Sequence, residues 1–258
     1  MNIDTHFHIF RKNDSQSTTA RYTVNYDAAF EDWRKVTKPN TIEAGVLIQP
    51  SFLGFDNDYL LETIKQNPKI LKGVAVVRPN TTDANLSKLK EEGITGVRLN
   101  LAGEQYPIKV IEDNRDLIAL LQGLAMHLEI NHDNGRLNEI LLAIPSGVDI
   151  VIDHFGRPQK NQEFTLNNSG IKNHLGRLWL KLSATYRSPT IDHQALFEYW
   201  LNTIGPAHLL WGSDWPHTQF EEQEHYEKQL SMLNQLTSDS GLLQQILSDN
   251  PKALYWNF

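Results

Sequence analysis

Read from the N-terminus, the chain alternates between short runs rich in Val, Ile and Leu and longer stretches where apolar residues recur every three or four positions. The short runs are IDTHFHI (3–9), AGVLIQ (44–49), GVAVVR (73–78), TGVRLNL (95–101), HLEINH (127–132), VDIVIDH (148–154), LWLKLSA (178–184) and HLLWGS (208–213). They make eight candidate strands. Several are apolar on nearly every residue, as expected of a parallel sheet covered on both faces. Between them, DYLLETIKQ, NLSKLKEEG, RDLIALLQGLA, RLNEILLAI and ALFEYWLNTIG carry helical spacing, and EEQEHYEKQLSMLNQL and GLLQQILSDNPKALY follow the eighth run. KEEG and NTIGP end on the Gly that commonly closes a helix, and Pro206 follows one of them. Eight strand–helix units predict an α/β chain folded as a (β/α)8 TIM barrel, with residues 1–258 as one catalytic domain. The chain contains neither GxGxxG nor GxxxxGK[ST], which weakens a nucleotide-binding sheet as the alternative.

In such a barrel the chemistry sits at the C-terminal ends of the strands. Those ends are rich in titratable residues here. The first ends in Asp4-Thr5-His6-Phe7-His8, and residues i and i+2 of a strand share a face, so His6 and His8 point together into the mouth. Two imidazoles on one face can chelate a metal or polarise a carbonyl. The sixth ends in Asp153-His154-Phe155-Gly156-Arg157-Pro158, which puts His154 at the same rim. The eighth ends in Trp211-Gly212-Ser213-Asp214-Trp215-Pro216-His217. Asp214, between two indoles, is expected to be partly desolvated, which raises a carboxyl pKa and suits a general base; a nearby imidazolium or metal would lower it. Arg98 in the fourth run and Arg187 after the seventh are cations at the active end, able to form bidentate pairs with an anionic substrate. Tyr186 can add a hydrogen bond, and His217 is close enough to contribute. Arg78 is weaker, because Pro79 turns the chain away. The bland reading of each residue is a capped turn, a solvent-facing imidazole, or an Arg paired with a structural carboxylate.

Composition narrows the partners. The formal charge of −7 argues against non-specific nucleic-acid binding, though local arginines leave a small anionic substrate open. No apolar run approaches the ~20 residues of a membrane span, and the first residues lack the basic start and apolar stretch of a secretion signal. The absence of cysteine removes disulfides, Cys-ligated zinc and a thiol nucleophile together. A cytoplasmic protein is expected, and a homo-oligomer stays open.

The combination of HxH on the first strand, His on the sixth and Asp on the eighth resembles the amidohydrolase superfamily. The wording IDTHFHIF, VIDHFGRP and WGSDWPH is similar to its branch of 2-pyrone-4,6-dicarboxylate and sugar lactonases, and the likeness extends to the closing ILSDNPKALYWNF. The resemblance implies lactone hydrolysis with Asp214 activating water. It leaves the cofactor undecided between none and one divalent metal, zinc or manganese. In the second case His6, His8, His132, His154 and Asp214 are the candidate ligands, His132 because it ends the fifth run. A metal-dependent nonoxidative decarboxylase and a catalytically silent binding barrel are the alternatives. His127 opens the fifth run and His208 the eighth, at the far end of the barrel, while His174, His193 and His225 read as surface or packing residues. The polar segments 13–26 and FTLNNSGIKN (164–173) are candidate loops over the mouth.

Overall fold

The computed structural model describes residues 1–18, 20–133, 135–160 and 168–256. Eight parallel strands follow one another in chain order: β1 (Asn2–Phe7), β2 (Ile42–Ile48), β3 (Leu71–Ala75), β4 (Ile94–Asn100), β5 (His127–Asn131), β6 (Ile150–Ile152), β7 (Leu178–Leu182) and β8 (Leu209–Trp211). The outer layer consists of α1 (Phe30–Thr37), α2 (Asp58–Gln66), α3 (Asp83–Glu91), α4 (Pro107–Asp113), α5 (Arg115–Gly123), α6 (Leu137–Ala143), α7 (Ser169–Asn173), α8 (His193–Ile204), α9 (Tyr226–Leu236), α10 (Ser240–Gln244) and α11 (Asn250–Tyr255). This is the expected barrel. Among the described residues no helix is long and apolar enough to cross a membrane.

Each predicted run contains a strand, but the polar tails leave the ladder early. His8, His132, Asp153, His154, Ser183 and Ser213 all lie beyond the last paired residue of their strands. The closing helix expected over 241–255 is broken into α10, a π turn at Gln245–Asp249, and α11. Pro251 has no N–H to give to the carbonyl four residues back, so the ladder cannot pass through it unchanged.

Inside the barrel the two-residue period of the strands sorts side chains into levels. Gly96, Arg98 and Asn100 of β4 stand in register with His127, Glu129 and Asn131 of β5, and all of these face inward. The floor is apolar: Val46, Ile48, Val74, Val151 and Leu210 pack with Tyr255 of α11. The Tyr255 ring meets His127 edge-on at 5.4 Å. His127 in turn fills the space over Gly96, where a Cβ would come within 2.3 Å of the imidazole. The larger apolar layer, including Phe7, Trp33, Ile94, Ile130, Leu180 and Trp200, lies between sheet and helices.

The seam between β1 and the segment after β8 closes the barrel. Thr5 Oγ1 donates to the Trp211 carbonyl (2.7 Å), Asp214 N to the His6 carbonyl (2.8 Å) and His8 N to the Trp215 carbonyl (2.8 Å). Gly212 permits this approach, because a Cβ there would lie 2.4 Å from His6 Cβ and 2.9 Å from His6 N. Gly212→Ala is therefore expected to cost about 1–3 kcal/mol, the usual penalty of overpacking, read as a lowered urea midpoint. A wild-type midpoint would show that the seam opens without cost.

Candidate active site

A strict alternation would put Asp4 on the same face as His6. The register of β1 against β2 shifts between Asp4 and Phe7, and Asp4 turns outward. There it accepts from Trp33 Nε1 (3.0 Å), Ser213 Oγ (2.7 Å), Ser213 N (2.9 Å) and Tyr226 Oη (3.2 Å). His6 and His8 face inward, with ring centroids 5.0 Å apart, and His154 comes to 4.8 Å from His6.

The four groups expected to converge do so. Asp214 Oδ1 lies 3.5 Å from His6 Nε2, 3.4 Å from His8 Nε2 and 3.9 Å from His154 Nε2. Its other oxygen, Oδ2, accepts from Tyr186 Oη (2.6 Å) and Arg187 Nε (2.8 Å). The backbone here is held in an unusual conformation. His154, Arg157, Ala184, Asp214 and His217 all take positive φ without being glycine. Such residues cost about 1–3 kcal/mol each and persist where the surroundings over-determine them. The concentration of these residues after β6, β7 and β8 marks this rim.

The electrostatics follow from the packing. Burial alone would raise the Asp214 carboxyl, but the Arg187 guanidinium outweighs it and holds it well below the usual carboxylate range. Desolvation does not win here, because Arg187 sits against the carboxylate. Burial also pushes His154 down to about 3, and burial together with Lys181 drives His6 well below its ordinary value, so both rings are neutral at working pH.

Beneath the histidines lies a layer of buried charge. Arg98 donates to Asp153 Oδ2 from Nε (2.9 Å) and Nη2 (2.7 Å) and lies 3.4 Å from Glu129 Oε1. Lys181 Nζ bonds to Glu129 Oε2 and reaches His6 Nδ1 at 3.1 Å and Asp153 Oδ1 at 3.4 Å.

Above them a cavity is walled by His8, His154, Asp214, Arg98 and Arg187, with Arg21, Tyr22, Ser51, Asn131 and Arg157 also on its lining. Both arginines expected at the substrate thus reach the wall, but each is first bonded to a carboxylate. Tyr186 likewise gives its hydroxyl to Asp214. His217 follows the cis Trp215–Pro216 peptide, is buried, and stands edge-on to Tyr186 at 6.1 Å, outside the cavity wall. His132 is buried directly after β5 and belongs to neither convergent ligand set found among the described residues. Arg78 stacks on Phe55. His174 and His208 bond backbone carbonyls, as packing residues do.

Several cavity residues were not expected from the sequence. Arg21 and Tyr22 arrive on the 13–26 segment, whose described residues pack through Val24, Ala20 and Tyr26 onto Phe10 and Phe52. Tyr22 Oη meets Thr218 Oγ1 at 3.1 Å, so this segment covers the mouth. Ser51 follows β2, and Arg157 stands one residue past Gly156 in the VIDHFGRP stretch. Of the FTLNNSGIKN segment, residues 164–167 lie outside the described residues.

A family profile described as Amidohydrolase matches residues 3–256. The chain belongs to the amidohydrolase family. Among characterised amidohydrolases it is 25% identical to a 2-pyrone-4,6-dicarboxylate hydrolase from Comamonas testosteroni, over 98% of this chain and 90% of that protein. It is 28% identical to a 4-sulfomuconolactone hydrolase from Rhizobium radiobacter, over 98% and 89%. A crystal structure of a probable 2-pyrone-4,6-dicarboxylic acid hydrolase from Acinetobacter baumannii, with citric acid bound, superposes with a TM-score of 0.88 at 33% identity and 99% coverage of both chains. The likeness to the lactonase branch is thereby borne out.

Amidohydrolases invite the question of a metal. Zinc ligands about 2.1 Å from the ion stand roughly 3.4 Å from one another when tetrahedral. The separations from Asp214 Oδ1 to the Nε2 atoms of His6 and His8 match this, and His6 Nε2 has no hydrogen-bond partner among the described residues. The donor set fits a divalent ion. His6, Asp153 and His154 form a second group of suitable atoms.

The amidohydrolase site also sets a pH dependence of stability. His127 and His154 are depressed to about 3 and His217 to about 4, chiefly by burial. Between these values and pH ~6.5 the unfolded chain binds protons that the folded chain refuses, so stability falls as pH drops. Glu129, raised by burial and by Asp153, acts in the opposite sense and offsets one histidine. The urea midpoint of metal-free protein should decline from pH 7 to pH 5, with a slope of up to ~1.4 kcal/mol per pH unit for each uncompensated ring. A flat midpoint would mean that these rings are charged in the folded protein.

Proposed function

We propose that this amidohydrolase opens a small carboxylated lactone by water attack on the ring carbonyl. The observation that carries the reading is the convergence of one carboxylate oxygen with three imidazole nitrogens at the floor of an arginine-walled cavity. Asp214 Oδ1 takes a proton from water as the water oxygen bonds to the carbonyl carbon. His6 and His154 stabilise the oxyanion that forms, while His8 accepts a hydrogen bond from the attacking water. The bond to the ring oxygen then breaks, and Asp214 returns the proton to that oxygen, so lactone and water become a hydroxy acid. If zinc or manganese is held by His6, His8, His154 and Asp214, it supplies Lewis-acid polarisation of the carbonyl.

The substrate class rests on charge. Arg98 is balanced by Asp153 and Glu129, Arg187 by Asp214, and Arg21 lies 3.6 Å from Asp133. Arg157 differs. Among the described residues no carboxylate pairs with it, and its Nε has no hydrogen-bond partner. Arg157 is the cation with donors to spare for a substrate carboxylate, with Arg98 and Arg21 beside it. The carboxylates named in the relatives' substrates, and the citric acid in the Acinetobacter structure, agree with an anionic small molecule. Tyr186 and Arg187 act in this reading by aiming Oδ1 of Asp214, and His217 supports Tyr186 from behind.

Asp214→Asn should lower lactone kcat about 100- to 10,000-fold, the usual worth of a general base, with the fold retained by far-UV circular dichroism. Near-normal turnover by that variant would overturn the assignment. Arg157→Met should weaken kcat/KM about 10- to 100-fold for carboxylated lactones and leave neutral ones unaffected, since a charge-assisted hydrogen bond is worth ~1.5–3 kcal/mol. Metal analysis paired with hydrolysis before and after chelation decides the cofactor. Release of carbon dioxide from aromatic acids, with no lactone hydrolysis, would favour the decarboxylase reading instead.

A further inference from the structure

The two histidines of the first strand are held from behind in opposite ways. His8 Nδ1 lies 2.7 Å from the carbonyl oxygen of Ile48. A carbonyl only accepts, so Nδ1 carries a proton, and in the neutral ring Nε2 then presents its lone pair to the site. His6 Nδ1 lies 3.1 Å from Nζ of Lys181, a fully buried side chain also bonded to Glu129. An ammonium has three donors and no acceptor, so toward Lys181 the His6 Nδ1 must accept. The neutral ring then carries its proton on Nε2. Asp153 Oδ1 competes for the same nitrogen from 3.1 Å and is itself 3.4 Å from Lys181 Nζ, so the ammonium draws on that carboxylate as well.

We propose that Lys181 is a positioning residue that sets His6 in the Nε2–H tautomer, so that the HxH pair faces Asp214 with one donor and one acceptor. Three consequences follow. The attacking water has two acceptors 3.4 Å apart, Asp214 Oδ1 and His8 Nε2, on which to place its hydrogens. The oxyanion has a fixed donor in His6 Nε2–H. Ligation of a divalent cation through His6 Nε2 would require the ring proton to sit on Nδ1, facing Asp153, which Lys181 opposes. The buried ammonium therefore biases the site toward hydrogen-bond catalysis and against metal capture, and removing it should invert that bias.

The consequence for turnover rests on the hydrolase reading; the tautomer itself does not. The test is a long-range ¹H–¹⁵N correlation spectrum of the metal-free full chain labelled at histidine, with the His6 ring assigned by its loss in His6→Gln. Protonated Nε2 and bare Nδ1 at His6, with the reverse at His8, is the expected result. A proton on His6 Nδ1 overturns the proposal. The double variant Lys181→Met/Glu129→Gln removes one charge of each sign, so the layer stays balanced. In it His6 should switch to Nδ1–H and zinc affinity should rise about tenfold or more, the usual scale for a group that orients a ligand. A folded double variant with an unchanged His6 tautomer also overturns the role of Lys181. If that variant does not fold, the wild-type spectrum decides alone. The expected tautomers in a protein that opens no lactone would count against the hydrolase reading and leave Lys181 in place.

Discussion

The geometry of the site depends on how the barrel closes. At the seam, the peptide groups that bond across from β1 to the segment after β8 belong to the residues that carry the chemistry. The His6 carbonyl takes the Asp214 N–H, and the Trp215 carbonyl takes the His8 N–H. The backbone thus sets His6, His8 and Asp214 against one another before any side chain is positioned. Asp4 locks the same seam from outside, joining Ser213, Trp33 and Tyr226 through one buried carboxylate. Its desolvation is costly, and several donors offset that cost. Asp4 thus holds the seam without entering the site.

A second constraint acts from below. Arg98, Lys181, Glu129 and Asp153 are buried, two of each sign, between an apolar floor and the catalytic rings. A buried ion network adds little net stability over well-packed apolar residues, yet removing one member leaves an uncompensated charge worth about 3–5 kcal/mol. Stability therefore does not explain it. What the layer achieves is positional: Lys181 and Asp153 both meet His6 Nδ1, and Arg98 places Asp153 immediately before His154. The contrast with Val46, Ile48 and Val74 on β2 and β3, which fill the floor with no polar atom, separates the structural level of the barrel from its working levels.

The fold was legible because both its periods are strong. Eight apolar runs and the intervening helical spacing survive in the structure with boundary shifts of a few residues. The histidines and Asp214 were legible because each stands just past a strand, where the ladder stops and the loop begins. Other parts were hidden for particular reasons. Glu129 in HLEINH and Lys181 in LWLKLSA look like single charges inside strands, yet the two-residue period places them inward with Asn131 and Ser183. Applying that parity to every strand, rather than to β1 alone, would have found them. Parity misleads at Asp4, where the register shift turns the side chain outward, and sequence carries no sign of that shift. Arg187 and Tyr186 were correctly placed at the rim, but only the fold shows that Asp214 takes their hydrogen bonds. Arg21 depends on a long polar segment whose path is set by tertiary packing on Phe10 and Phe52.

That pairing bears on how a carboxylate held well below its ordinary pKa can serve as a base. Tyr186 and Arg187 stabilise the ionised form, which weakens Asp214 as a proton acceptor but guarantees that the acceptor is present throughout the neutral range. The same depression makes the protonated Asp214 a strong acid. A lactone demands both properties in sequence, because the proton taken from water must be surrendered to the departing ring oxygen. With Oδ2 occupied by two donors, only Oδ1 is free to exchange that proton, and Oδ1 is the atom ringed by His6, His8 and His154. The loss in base strength is countered by placement: one oxygen, aimed at one point, does both transfers while His6 and His154 stabilise the charge that develops on the carbonyl oxygen. The cation at Arg187 thus serves catalysis through the carboxylate it touches.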